Sequence, residues 1–405
     1  MERNRIWAMT SWLLLAALLL SGCARPERTG FSQAELAAAV IPDIPQARYW
    51  LDGSDLPSLL APPASRPGEA VTVLALSGGA DRGAYGAGFL NGWSRSGQRP
   101  EFTVVTGVST GALMAPFAFL GPEFDPQLET AFTGLGPSDI YRLRFPLAIP
   151  FSISAVSGEP LRRRIGHFVT NAVIDRVAAE HRKGRRLYVL TANIDAARGV
   201  VWDMGAIAAS MAPGRYTLFR QVLLASAFVP AVFPPVAIES RAGGRTLEEW
   251  HVDGGTVAPL LVPPLMAGNA SRPIHLYVLV NEKLGGDFDV TRPGIMDLAE
   301  RAFELSVQTN LQRQAADAWS WAGMHGADYH LTYIHPDFDW DDHDYFATDY
   351  MQALFDYGLK HGAAAEWDAK PPAGGGPETL STPGAGHSPR TRRGPDGAPA
   401  SGARR

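Results

Sequence analysis

The chain has 405 residues, of which 46% are hydrophobic and 19% are charged, so it can fold around a large core as one large domain or two small ones. The net charge of −5 at pH 7 gives no reason to expect a nucleic-acid partner. With a single cysteine in the chain, an internal disulfide is excluded.

The N-terminus has the pattern of a secretion signal. Arg3 and Arg5 precede an apolar run at residues 6–20, which is too short for a comfortable membrane span and fits a signal-peptide core. The run ends in Leu-Ser-Gly-Cys at positions 20–23, which resembles the bacterial lipobox, in which the cysteine is diacylated. We therefore expect a signal peptide at residues 1–22 and a lipid anchor on Cys23.

That anchor would place the protein in the bacterial cell envelope. Ala24 is compatible with sorting to the outer membrane, so the expected location is that membrane, facing the periplasm. The alternative is a plain signal peptide in which Cys23 is incidental.

Two segments flank the predicted body of the chain. Residues 23–70 are rich in Ala, Pro and Ser, which indicates a tether with a short helix near residues 33–40 and some packing on the body. Residues 366–405 are rich in Pro and Gly, with scattered arginines, and we expect this tail to be disordered because it cannot bury enough apolar surface.

Between them, residues 71–365 alternate apolar strands with helices. The predicted strands are 71–77, 102–109, 185–194 and 273–280, and the predicted helices are 83–96, 111–120, 172–183, 216–225 and 293–321. Strands that are apolar almost throughout lie in sheets covered on both faces. The sequence therefore predicts a three-layer α/β/α fold with a mostly parallel central sheet.

A glycine-rich loop follows the first of these strands. Its glycines at positions 78, 79, 83, 86 and 88 give neither the Gly-Lys-Ser/Thr of a phosphate-binding loop nor the Gly-x-Gly-x-x-Gly of a dinucleotide fold. We therefore expect no nucleotide.

A possible nucleophile elbow follows the second strand. Gly107-Val108-Ser109-Thr110-Gly111 lies between the strand and an apolar helix, where a serine on a sharp turn needs small neighbours two positions before and after it. The dipole of the helix would favour negative charge developing at Ser109.

The serine would need a base. No histidine lies in a convincing loop at the end of a strand, whereas Asp253 ends a short strand and precedes Gly254 and Gly255. Asp-Gly-Gly is also a common turn sequence, so this motif has weight only beside the other two.

The three motifs together, in this order, resemble the patatin-like phospholipases. Two further segments carry the resemblance, which covers about residues 71–362. These are Ala225-Ser226 with Pro230 and Phe233-Pro234-Pro235, and Tyr350-Met351 with Leu354 and Gly358.

The resemblance implies a catalytic dyad of Ser109 and Asp253, with an oxyanion hole formed by the backbone N–H groups of Gly78, Gly79 and Ala80. It implies a membrane-lipid substrate, an acyl-enzyme intermediate, and no cofactor or metal. One departure is Ala80, where the family usually has a third glycine. Alanine resists a positive φ, so the oxyanion hole would be strained if this position needs a left-handed backbone.

The roles of three residues near the predicted site stay open. Arg82, with Gly83 beside it, would support the loop or contact a lipid phosphate, and His251 is a lesser candidate for a catalytic role. Two other functions also stay open: a Ser-His-Asp esterase on an α/β-hydrolase sheet, and an inactive lipid-anchored envelope protein.

Overall fold

The structure, a computed structural model, describes residues 28–54, 56, 70–144, 152–263, 272–285, 290–291, 293–340 and 344–372. The predicted signal peptide, Cys23 and most of the predicted tail lie outside these residues. Within the described ranges, no helix combines the length and the apolar character needed to cross a membrane.

In the described part of the chain, nine strands form one sheet and two short strands form a separate pair. In the large sheet the neighbour order is β1-β7-β6-β3-β2-β10-β11, and a β8–β9 hairpin joins at β6. The strands are β1 Arg48–Trp50, β2 Val71–Leu76, β3 Val104–Val108, β4 Arg142–Leu143, β5 Val156–Ser157, β6 Arg186–Asn193, β7 Arg198–Asp203, β8 Val236–Ala242, β9 Arg245–Asp253, β10 Ile274–Val280 and β11 Asp328–Tyr333.

The centre of the sheet is parallel. Strands β6, β3, β2, β10 and β11 run in one direction, while β7, β1 and the β8–β9 hairpin add antiparallel pairs on the β6 side. The four predicted strands are the central ones, with ends within two residues of the prediction.

The helices cover both faces of this sheet. They are α1 Gln33–Ala37, α2 Gly83–Arg95, α3 Thr110–Leu120, α4 Asp125–Thr133, α5 Pro137–Ile140, α6 Glu159–Phe168, α7 Asn171–Arg182, α8 Met204–Ala209, α9 Arg215–Ser226, α10 Ile295–His325 and α11 Thr348–Ala363. Alternate residues of β2 enter two separate cores: Leu74 and Leu76 the first, Val73 and Ala75 the second. The predicted three-layer α/β/α fold is therefore confirmed.

The C-terminal helix packs closely on the helix that follows the glycine-rich loop. A Cβ added at Gly88 of α2 would lie 2.0 Å from the carbonyl oxygen of Phe355 in α11, so only glycine allows the two backbones to come this close. Beyond α11, the ring of Trp367 packs 4.8 Å from that of Trp93. The packed chain thus extends past the predicted boundary at residue 365.

The described part of the predicted tether packs on the body. Strand β1 pairs with β7, with Arg48 opposite Trp202. The Arg48 guanidinium forms an ion pair of 2.6 Å with Glu249, whose side chain is fully buried. These contacts make the segment a structural part of the domain.

Candidate active site

Ser109 lies at the turn between β3 and α3 in a strained backbone conformation. Its φ of 55° and ψ of −125° lie outside the regions that residues with a Cβ prefer, at a cost of about 1–3 kcal/mol. A Cβ at Gly107 would lie 2.5 Å from the carbonyl oxygen of Gly111, and a Cβ at Gly111 would lie 2.5 Å from that of Leu76. Strand and helix thus pass each other at a distance that only these glycines allow.

Ser226, at the C-terminal end of α9, holds this turn in place. The backbone N–H of Ser109 donates to Ser226 Oγ at 3.0 Å. The Ser226 hydroxyl in turn donates to the carbonyl oxygen of Leu190 in β6 at 2.7 Å. Ser226 lies in the Ala225-Ser226 segment that carries the family resemblance, but nothing in the sequence indicated that it holds the turn at Ser109.

Ser109 and Asp253 come together because β3 and β9 meet end to end along β6. Val108, the last residue of β3, pairs with Leu190, and Asp253, the last residue of β9, pairs with the next residue, Thr191. Since β3 is parallel to β6 and β9 is antiparallel to it, the carboxyl ends of β3 and β9 point towards each other.

The carboxyl group of Asp253 is buried and only partly hydrogen-bonded. The residue is 2% exposed, and its Oδ1 accepts a hydrogen bond of 2.7 Å from the N–H of Gly255. Among the described residues, no group donates a well-aligned hydrogen bond to Oδ2. Burial raises the pKa of Asp253 to about 7, and the nearby Ser109 hydroxyl and the Gly255 N–H only partly oppose this effect.

The glycine-rich loop offers two free N–H groups where the sequence predicted three. The N–H of Gly78 donates to the carbonyl oxygen of Pro259 at 3.0 Å, so it is already bonded in this structure and is not available to an oxyanion. Among the described residues, the N–H groups of Gly79 and Ala80 have no acceptor. Ala80 adopts the left-handed conformation, with φ of 50°.

Asn281, directly after β10, anchors this loop and was missed by the sequence analysis. Its Nδ2 donates to the carbonyl oxygen of Ser77 at 2.9 Å, and its Oδ1 accepts from the N–H of Gly86 at 3.1 Å. A Cβ at Gly79 would lie 2.0 Å from the carbonyl oxygen of Asn281. Its position at the carboxyl end of a strand beside β2 was the only available signal.

Arg82 and Gly83 stabilise the start of α2. Arg82 Nη1 donates to Glu282 Oε2 at 2.6 Å, and Glu282 is the main reason why the pKa of Arg82 is raised. A Cβ at Gly83 would lie 2.3 Å from Thr110 Oγ1, so this glycine lets α2 pack against the residue that follows the elbow. Both residues are thus placed to support the loop.

The buried His251 contacts a residue of β6. It is fully buried, and its Nδ1 lies 2.9 Å from Thr191 Oγ1. Burial lowers the pKa of His251, so it is neutral at pH 7. Within the described ranges, no histidine is hydrogen-bonded to Ser109 or Asp253, and no group of three or more His, Cys, Asp or Glu side chains is arranged to hold a metal ion.

Comparisons with known proteins give one match to a family. Residues 74–266 match the model of the patatin-like phospholipase family. No curated protein matches the chain. Twelve chains of solved structures match, among them the crystal structure of VipD from Legionella pneumophila, with 11% identity over 74% of this chain and 68% of that chain and a TM-score of 0.36.

Proposed function

We propose that the chain is a lipid acyl hydrolase in which Ser109 and Asp253 form the catalytic dyad. The match of residues 74–266 to the patatin-like phospholipase family model supports this proposal. The proposed substrates are acyl esters of phospholipids or related lipids. The reaction passes through an acyl-enzyme on Ser109.

The observation that carries this proposal is a buried carboxylate whose second oxygen is left to the hydroxyl of a strained serine. The Ser109 hydroxyl lies near the Asp253 carboxyl and lowers its pKa, and no described residue donates a hydrogen bond of good geometry to Oδ2, an arrangement that costs free energy for a buried polar atom. Oδ2 is the acceptor that the Ser109 hydroxyl needs, and the contact is expected to shorten when substrate excludes water.

In the acylation step Asp253 acts first as a base and then as an acid. Oδ2 takes the proton of Ser109 Oγ while Oγ forms a bond to the ester carbonyl carbon. The tetrahedral intermediate then collapses, and the bond to the leaving alcohol breaks as Asp253 returns the proton to the alcohol oxygen. In deacylation a water molecule is activated by Asp253 in the same way and releases the fatty acid and Ser109.

The oxyanion of the intermediate is stabilised by backbone N–H groups. Those of Gly79 and Ala80 are unused within the described residues, and each such donor is worth about 3 kcal/mol to the transition state. The N-terminal end of α3, at Thr110, adds a favourable dipole.

The proposed cellular context is the bacterial envelope. Cys23 is the proposed lipidation site, and the outer membrane facing the periplasm is the proposed location, supported by the sequence before and after this cysteine. An enzyme anchored to a membrane would meet its lipid substrate there.

The proposal is tested with Ser109→Ala and Asp253→Asn, assayed on a panel of phospholipids, lysolipids and short-chain esters. Both variants should lose hydrolysis of every substrate by at least about a hundredfold. Ser210→Ala, at a half-buried position, and Asp175→Asn, at an exposed one, lie outside the candidate site. They are the matched controls and should keep full activity. Full activity of Asp253→Asn would exclude the dyad.

Two further measurements address the competing functions. Single His→Ala substitutions should leave activity intact; a large loss from one of them, with Asp253 dispensable, would favour a Ser-His-Asp esterase. A fluorophosphonate probe should label Ser109, and a folded protein that fails to react would be an inactive envelope protein.

A further inference from the structure

Arg28, the first described residue, makes four contacts with the body of the domain. Arg28 donates two hydrogen bonds to the carboxylate of Asp195, at 2.8 and 2.9 Å, and one to the carbonyl oxygen of Glu248 at 2.7 Å. Its guanidinium also lies 3.9 Å from the centre of the Trp250 ring. A planar guanidinium bound to a carboxylate in this bidentate way has a defined orientation.

The residues that follow are fixed in the same manner. We call residues 28–52 the strap. Three further ion pairs join it to β7 and to the β8–β9 hairpin: Glu35 with Arg245, Arg48 with Glu249, and Asp52 with Arg198. Backbone pairing adds the β1–β7 ladder and a bridge between Val40 and Arg241. The strap therefore has many attachment points, of which the Arg48–Glu249 pair is the most buried.

The strap begins at the same edge of the sheet as the candidate active site. Asp195 comes just after β6, whose carboxyl end lies beside that of the parallel strand β3, the strand that leads to Ser109. Trp250 precedes Asp253 by three residues of β9, a distance of about 10 Å along a strand. The contact of Arg28 with Trp250 thus lies close to the catalytic carboxylate.

We infer that the strap leaves only a short connection, residues 24–27, between the lipid anchor and the domain, and that this connection holds the active-site edge against the bilayer. We call residues 24–27 the leash. This inference rests on the proposed lipidation of Cys23. Only four residues, 24–27, separate Cys23 from Arg28, and the five steps from one to the other span at most about 18 Å. A freely flexible tether running to residue 70 would instead have a root-mean-square length of about 40 Å and would leave the orientation of the domain open.

The edge that the leash turns to the membrane carries exposed apolar side chains. Leu143 is 68% exposed, Ile153 47% and Val232 39%. They lie on three segments joined by backbone hydrogen bonds, since β4 pairs with β5 and the N–H of Val156 donates to the carbonyl oxygen of Val232. The third segment continues directly from Phe228, whose carbonyl oxygen accepts from the N–H of Asp253 at 2.9 Å. Arg142, which is also exposed, adds positive charge suited to anionic lipid headgroups.

The orientation can be measured with single-cysteine labels, because Cys23 is the only cysteine of the chain and lipidation consumes its thiol. Ile194→Cys places a fluorophore at the active-site edge, where Ile194 is 42% exposed. Arg182→Cys places the matched label on an exposed residue at the opposite edge, about 26 Å away by the length of β6. Both are made in a Ser109→Ala background, so that the lipid stays intact, and the lipidated proteins are reconstituted into phosphatidylglycerol–phosphatidylcholine vesicles containing an acceptor dye.

The leash predicts that the label at position 194 transfers energy to the membrane dye at least about twice as efficiently as the label at position 182, given their separation. A flexible Gly/Ser insertion of 40 residues between Pro26 and Glu27 should abolish this difference, whereas the same insertion after Gly375 should not. Equal transfer from both labels in protein that floats with the vesicles would overturn the leash alone.

Two other outcomes separate the leash from the proposed function. Protein that fails to float with vesicles would overturn both the anchor and the leash. Hydrolysis of a soluble short-chain ester by the variants with Ser109 intact reports the dyad independently: it should be unchanged by either insertion, and a loss with the first insertion would show that the strap supports the catalytic residues rather than orienting the domain.

Discussion

The N–H of Ser109 donates a hydrogen bond to Ser226 Oγ at 3.0 Å, across 117 positions of the chain. In a strained turn this bond fixes the direction of the serine, because the Ser226 hydroxyl is itself held by the carbonyl oxygen of Leu190. The position of the proposed nucleophile thus depends on a side chain that takes no part in the proposed chemistry.

We predict that Ser226→Ala lowers kcat by at least about tenfold, because small displacements of a reacting group cost large factors in rate. The free energy of unfolding should fall by about 1–3 kcal/mol, since the partly buried N–H of Ser109 and the buried carbonyl oxygen of Leu190 lose this partner. Ser210→Ala is the control, because its hydroxyl donates only to a carbonyl within its own helical turn. Unchanged kinetics in Ser226→Ala would show that the turn holds its geometry without this bond.

Activity should depend on pH through Asp253. Burial raises the pKa of this carboxyl to about 7, and only its ionised form can accept the proton of Ser109. We expect kcat/KM for a soluble ester to increase with pH up to about 7 and to level off above it, the midpoint reporting this group in the free enzyme. A rate that stays flat between pH 5 and 8 would contradict the assignment.

Stability should change with pH in the opposite direction. The folded-state pKa of Asp253 lies above its ordinary value of 3.8, so the folded protein binds more protons than the unfolded chain between about pH 4 and 7, and stability falls as pH rises through this window. Asp253→Asn removes the cost of ionising the buried group and should stabilise the protein at pH 8 by up to about 4 kcal/mol. Denaturant unfolding of both proteins at pH 4 and pH 8 measures this difference, which should vanish at the lower pH.

The alanine in the glycine-rich loop should cost stability rather than catalysis. Ala80 already adopts a φ of 50°, a conformation that costs alanine about 1–2 kcal/mol. We predict that Ala80→Gly raises the free energy of unfolding by about 0.5–1 kcal/mol and leaves kcat within about twofold, because the position of the N–H is unchanged.

Ala197 provides a matched control for that variant. Its φ is 53°, and it lies in the turn between β6 and β7, outside the loop. Ala197→Gly should give the same gain in stability. A kcat that increases tenfold or more in Ala80→Gly alone would mean that the alanine distorts the oxyanion hole.

The ion pair between the strap and β9 should dominate the stability of this region. Burial raises the pKa of Glu249, but the contact with His251 and the ion pair with Arg48 lower it to about 2. Arg48→Met leaves this carboxylate buried without its main partner and should cost about 3–5 kcal/mol of unfolding free energy. Arg176→Met, which breaks a half-exposed pair with Glu123, should cost less than about 1 kcal/mol.

The central sheet could be predicted because its strands are buried on both faces. Residues 71–76 and 274–280 are apolar almost without interruption, and such runs have few alternatives in a chain of this length. The β8–β9 hairpin was harder to recognise. Burial alternates along β8, and three of its seven residues are polar, so it lacks the continuous apolar run of the central strands. A signal was nevertheless present, because Gly243 and Gly244, both at positive φ, form the turn between the two alternating strands.

The residues of the candidate site could be predicted from the sequence only where they lie in local motifs. The elbow around Ser109 and the aspartate before two glycines are local patterns. The carbonyl oxygen of Pro259 that binds the N–H of Gly78, and the side chain of Asn281 that holds the loop, come from distant parts of the chain. No pattern within the loop itself distinguishes an N–H group that is already bonded from one that is free.

Because β3 and β9 meet end to end along β6, the activity of the proposed dyad would report whether these strands are correctly aligned. Side chains of a strand alternate between the two faces of a sheet, so a shift of β9 by a single residue would place Gly254 opposite Thr191 and turn the Asp253 carboxyl to the other face. Such a misaligned hairpin would keep most of its hydrogen bonds and its solubility. Preparations of equal helix and strand content could therefore differ in specific activity by the fraction of molecules in which this hairpin has formed in the wrong register.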